Sequence, residues 1–149
     1  MKSKKRSGTK KGRRPPEQII YFIDRCLGRG VASALAQAGV DVRYHDDCFP
    51  EDAKDAEWLP EVGAKGWIVI TKDKNIRRTP IELEATIAAK LRLFVLAGAG
   101  NKTGTQTAEL ILEQRSRIER TARKTPAPFI AGVTQTGVRV YEWSRPEAE

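Results

Sequence analysis

The sequence predicts a three-layer α/β/α domain with a mainly parallel central sheet. Three observations carry this. Short runs of continuous apolar residues recur along the chain. Segments with helical spacing alternate with them. An acidic residue stands directly after the first run, and another follows the third after one lysine. Runs apolar on both faces belong to strands covered by helices on either side, the normal state of a parallel sheet.

The first run is Gln18-Ile19-Ile20-Tyr21-Phe22-Ile23, ended by Asp24. From Arg29 to Ala38, Val31, Ala34, Leu35 and Ala38 recur at helical intervals, and Gly39 supplies the stop. Val40 to Tyr44 is a second short strand. An acidic loop from His45 to Asp52 follows. A helix is predicted from about Asp55, with Trp58, Leu59 and Val62 on one face and Gly63 near its end. Pro60 falls where it either sits in a first turn or splits this helix. Gly66 to Thr71 is the clearest strand, rich in β-branched residues. Pro80 opens a helix through Ala89, and Leu91 to Leu96 is a fourth strand. The loop from Gly98 to Gly104 has the glycines of a phosphate loop without its Gly-Lys-Ser/Thr ending. One long helix is predicted from Thr105 to about Arg123, ended by Pro126 and Pro128. Phe129 to Val133 and Val138 to Trp143 then form a terminal hairpin.

Charge divides the chain. Eight of its 27 lysines and arginines precede Pro15, and no acid precedes Glu17. The remaining 19 basic residues meet 19 acidic ones. Residues 1–16 therefore read as a disordered basic tail and residues 17–145 as the domain. Such a tail can attract phosphate backbones without reading sequence, or simply keep the protein in solution. No apolar run approaches the roughly 20 residues of a membrane span, and no secretory signal follows the basic start. Cys26 and Cys48 lack metal-type spacing, and His45 is the only histidine. A Cys/His zinc site is excluded on those counts, and reduced thiols in a cytoplasmic protein are expected.

Ligands of open parallel sheets sit beyond the carboxyl ends of the strands, where the strand order reverses. Asp24 follows the first strand, Asp73 follows the third, and Asp55 opens the helix between them. Three carboxylates converging there suit Mg²⁺ or Mn²⁺ and hence phosphodiester chemistry. Each also has a plain structural reading, as a helix cap for Asp24 and Asp55 and as a turn residue for Asp73.

Phe22-Ile23-Asp24, Ala38-Gly39-Val40-Asp41-Val42, Asp55-Ala56-Glu57-Trp58-Leu59 and Trp67-Ile68-Val69-Ile70-Thr71-Lys72-Asp73-Lys74-Asn75 resemble, in that order, a PIN-like domain. The resemblance is greatest to the VapC-related group of bacterial toxins and covers about Ile19 to Leu96. It implies a three-layer PIN-like fold, a Mg²⁺- or Mn²⁺-dependent endoribonuclease, and a toxin held inactive by a cognate antitoxin of a type II pair. It implies catalytic and metal-binding roles for Asp24, Asp55 and Asp73. Many relatives carry a further Asp where Asn75 stands, and Asn brings a carbonyl ligand without charge. Glu57 or Asp46 could supply the missing charge. Lys72, Arg77 and Arg78 are candidate RNA contacts, or surface charges balancing Glu82 and Glu84. Partners expected are RNA and the antitoxin, with no membrane and with a homodimer among the assemblies left open. The competing reading is a non-catalytic RNA-binding or protein-interaction module on the same fold.

Overall fold

A computed structural model describes residues 18–50, 52–73, 79–98 and 102–142, with backbone alone for residues 55 and 56. Asn75, Arg77, Arg78, the segment read as a basic tail and Trp143 lie outside the described residues.

Six strands form one sheet: β1 (Tyr21–Ile23), β2 (Val42–Tyr44), β3 (Ile68–Thr71), β4 (Arg92–Leu96), β5 (Phe129–Thr134) and β6 (Gly137–Val140). The order is β2-β1-β3-β4-β5-β6, parallel throughout except for the β5–β6 hairpin. Helices α1 (Arg29–Gln37), α2 (His45–Cys48), α3 (Asp55–Lys65), α4 (Pro80–Ala89), α5 (Gly104–Glu113) and α6 (Arg115–Lys124) fill the connections.

Strand alternation sorts the core into two layers. Tyr21, Ile23, Ile68, Ile70, Phe94 and Leu96 point to the side of α1, α5 and α6. Phe22, Val69, Leu93 and Val95 point to the side of α3 and α4. This makes the predicted three-layer arrangement, with every residue of β1 and β3 buried. Phe22 packs in an aromatic cluster, with ring centroids 5.2 Å from Trp58, 5.9 Å from Trp67 and 6.0 Å from Phe49. Full burial of an aromatic ring is among the larger single apolar contributions to a core.

Three local expectations are corrected. The acidic loop begins as a helix, α2, packed through His45, which is only 2% exposed. Helix α3 runs through Pro60 without splitting. The single long helix is two, because Gln114 leaves helical geometry at φ −97° and ψ 7°. Its side chain is 3% exposed, and its amide donates to the Gln135 carbonyl at 2.9 Å. That bond pins the junction to the β5–β6 turn. Apolar periodicity continues across the break, so the pattern of hydrophobic residues alone does not reveal it.

Candidate active site

Strand β1 lies between β2 and β3, so the chain leaves β1 first to one side and then to the other. The order therefore reverses between β1 and β3, and their carboxyl ends flank the crevice where such sheets bind ligands. The register Tyr21↔Ile68, Phe22↔Val69 and Ile23↔Ile70 puts Asp24 beside Thr71. The Asp24 amide completes the pairing by donating to the Ile70 carbonyl at 3.0 Å.

Thr71 is fully buried and ends an otherwise apolar strand. Its hydroxyl donates to Asp24 Oδ2 at 2.7 Å and accepts from the Asp73 amide at 3.1 Å. One hydroxyl thus fixes a carboxylate on β1 and the backbone that presents Asp73 after β3. Asp24 also caps the short 3₁₀ turn Arg25–Leu27, with Oδ1 accepting from the Arg25 amide at 2.7 Å. Its structural role and its place in the crevice therefore coincide. The Cys26 thiol lies 3.4 Å from Asp24 Oδ2 and 3.4 Å from Thr71 Oγ1. Burial, and next the Asp24 charge, push that thiol's pKa up, so it stays protonated and donates.

A carboxylate offers about four lone-pair positions. Arg25, Thr71 and Cys26 use three on Asp24, leaving one on Oδ1. Hard oxygen donors of this kind match Mg²⁺ or Mn²⁺. Among the described residues no three His, Cys, Asp or Glu side chains gather closely enough to hold one ion. The Asp55 carboxylate lies outside that set. By its backbone, Asp55 opens α3, and α3 starts on the carboxyl side of the sheet because it must return the chain to the start of β3.

The other candidates are engaged in different ways. Asp46 Oδ1 lies 3.3 Å from Arg25 Nε and 3.0 Å from His45 Nδ1. Its charge is thus already matched by a guanidinium at the edge of the crevice. Glu57 accepts from the Lys54 amide at 3.2 Å, tying down the first turn of α3. Lys72 is half-buried between Thr71 and Asp73. Sequence reasoning gave no role in the site to four residues linked to Asp24 directly or through Arg25 and Asp46: Thr71, Cys26, Arg25 and His45. A lone hydroxyl closing an apolar strand was the available signal for Thr71. Nothing in the sequence signals the Arg25–Asp46–His45 chain, which depends on how α2 folds back.

The same strands and residues carry the comparison with known proteins. The family model of the PIN-like domain matches residues 19–98, which run from the approach to β1 past the end of β4. Over 114 residues the chain is 31% identical to "Putative ribonuclease VapC45" of Mycobacterium tuberculosis, across 73% of this chain and 81% of that protein. No solved structure gives a significant match. The matched span contains Asp24, Asp55 and Asp73 together with the crevice between β1 and β3, and the chain belongs to the PIN-like domain family.

Proposed function

We propose that this protein is a metal-dependent endoribonuclease acting through the crevice between β1 and β3, and that it is the toxin of a type II toxin–antitoxin pair. The observation that carries the catalytic reading is the shared hydroxyl of Thr71, which ties Asp24 to the Asp73 backbone at the switch point of the sheet. The ribonuclease name of the mycobacterial relative supports the substrate class. The VapC in that name accords with the toxin reading; an antitoxin as partner and the cytoplasm as the place of action are proposed with it.

In this reading Asp24, Asp73 and Asp55 hold the divalent ion. When bound, such an ion supplies Lewis-acid stabilisation of the charge that develops on a phosphodiester under attack. Thr71 keeps Asp24 from rotating. Cys26 and the Arg25 amide take two more of its lone pairs, so one position on Oδ1 is left for the ion. Arg25, exposed beside Asp24, is placed to meet a phosphate oxygen. Asn75, Arg77 and Arg78 follow Asp73 directly in sequence and are proposed as further contacts.

The test is single-turnover cleavage of RNA in Mg²⁺ and in Mn²⁺. Asp24→Asn and Asp73→Asn keep shape and remove one charge each. Each is expected to lower the rate by about a hundredfold or more, a loss of roughly 3 kcal/mol in transition-state stabilisation. Growth inhibition on expression should disappear with cleavage. A folded Asp73→Asn that cleaves like the wild type refutes the metal-site mechanism. A wild type that binds RNA and cleaves none with either metal supports the binding-module reading instead.

A further inference from the structure

We propose that the outer face of α6 is a docking track for the phosphate backbone of RNA, separate from the crevice. The inference rests on the nuclease reading above and adds to it where the rest of the substrate lies.

Helix α6 has the sequence Arg-Ser-Arg-Ile-Glu-Arg-Thr-Ala-Arg-Lys. Ile118, Thr121 and Ala122 are its buried stripe. Its one acid is Glu119, and that charge is already committed. Glu119 Oε2 accepts from the Tyr21 hydroxyl at 2.9 Å and from Arg115 Nε at 2.9 Å, and Arg123 lies 3.8 Å from Oε1. Arg117, Arg120 and Lys124 are exposed and follow i, i+3, i+7 spacing, which puts them along one flank of the helix. Among the described residues no carboxylate lies within ion-pair distance of any of the three. Arg117 makes one neutral bond, to Gln114 Oε1 at 3.0 Å.

Beyond its N-terminal segment the chain carries balanced charge, so this excess must be met by acid elsewhere. Part of that acid is at the crevice. Asp24, Asp46, Asp47 and Asp73 all stand after the carboxyl ends of β1, β2 and β3. Asp46 and Asp47 are matched by Arg25 and Arg29. An edge of this kind suits a divalent ion and repels a polyanion unless cations nearby draw it in. The start of α6 reaches the same edge, because Gln114 is bonded to Gln135 in the β5–β6 turn. From there the helix runs down the α1/α5 layer, and Arg92, at the start of β4, donates to the Ala122 carbonyl near its other end. A row of cations with no ion-pair partner among the described residues, leading away from the crevice, is complementary to a strand of phosphates leaving the scissile position. The rise from Arg117 to Lys124 is about 10 Å, the reach of two or three successive phosphates.

The experiment measures equilibrium binding of the full chain to a short labelled single-stranded RNA, with chelator present and across a range of salt. Chelation prevents cleavage and removes the metal's share of binding, leaving cationic contacts. The variant Arg117→Gln/Arg120→Gln/Lys124→Gln is compared with Lys65→Gln/Lys90→Gln/Arg139→Gln, which removes the same charge from other surfaces. The expected result is a Kd raised about tenfold or more by the first variant. Its salt slope should fall by about two, since each neutralised phosphate of a single strand contributes about 0.7. The second variant should change affinity much less. Arg117→Lys/Arg120→Lys should retain affinity, which separates lost charge from lost structure.

Equal weakening by both triple variants overturns the track, because net charge would then explain it. So does an unchanged Kd in the first variant. So too does a first variant that loses binding to polyglutamate but not to RNA, which would assign the face to an acidic protein. Cleavage measured in parallel separates this inference from its premise. A cleaving wild type whose α6 variant binds RNA normally removes the track alone. A wild type that neither binds nor cleaves RNA removes both.

Discussion

Thr71 makes the most consequential single contact at the crevice. A hydroxyl buried without partners would cost stability, yet this one donates to a carboxylate and accepts from a backbone amide. Replacing it by Val keeps the volume and the β-branch while leaving Asp24 Oδ2 and the Asp73 amide short of a partner. The expected result is a loss of about 1–3 kcal/mol in stability. A larger proportional loss of cleavage is expected, because the Asp24 carboxylate is then held only by the Arg25 amide and the longer Cys26 contact. Thr71→Ser retains the hydroxyl and should recover most of the activity. Urea titration and single-turnover kinetics on the three proteins check both halves. If Thr71→Val cleaves RNA at the wild-type rate, Thr71 does not position the acid. The strand-end position of Asp24 and Asp73 was legible in the sequence because the first directly follows a continuous apolar run and the second stands two residues past Thr71, the end of another. The hydroxyl between them was not, since its role depends on the register of β1 against β3, which no local pattern encodes.

Close contact between α3 and α4 sets the layer that supports β1 and β3 from one side. Gly63 is where the two helices approach: a Cβ added there would stand 1.9 Å from the Ala89 carbonyl oxygen. That oxygen is backbone and cannot swing aside, so Gly63→Ala must push α3 from α4. Better helix propensity would favour Ala by about 1 kcal/mol, but overpacking of a rigid contact costs about 1–3 kcal/mol and occasionally more. The expected outcome is net destabilisation, read as a lower urea midpoint with an unchanged slope. A raised midpoint would mean the helices separate at no cost. Helix α4 was legible from Pro80 to Ala89 because proline marks its first turn and the apolar strand at Leu91 ends it. In the sequence Gly63 reads as a residue near the helix end. In the structure the stop is Gly66, at φ +75°, and Gly63 is a packing glycine. The break at Gln114 was hidden for a related reason: its cause is a bond to Gln135, 21 residues away.

Across the whole molecule, charge and fold are separable. Among the described residues, the first to bond to the sheet are Gln18, which donates to Asp41, and Tyr21, whose amide donates to the Asp41 carbonyl at 2.9 Å. The chain enters there at the amino edge of the sheet, opposite the edge that bears Asp24 and Asp73. The eight basic residues before Pro15 precede this entry point in sequence. Their expected contribution is capture of RNA and not chemistry. Deleting residues 1–14 should weaken RNA binding and flatten its salt dependence by up to about five in slope, if most of the eight cations meet phosphates of a single strand. Cleavage at saturating RNA should hardly change, so the loss should appear in kcat/KM and grow with salt. Because a segment of lysine, arginine, glycine and serine brings little apolar surface to bury, the thermal midpoint should stay within a few degrees of the full chain. Calorimetry and cleavage at two salt concentrations provide the check. A large fall in the midpoint would make the segment part of the folded unit. A fall in the saturated rate would place it at the crevice, against the direction in which the chain enters the sheet.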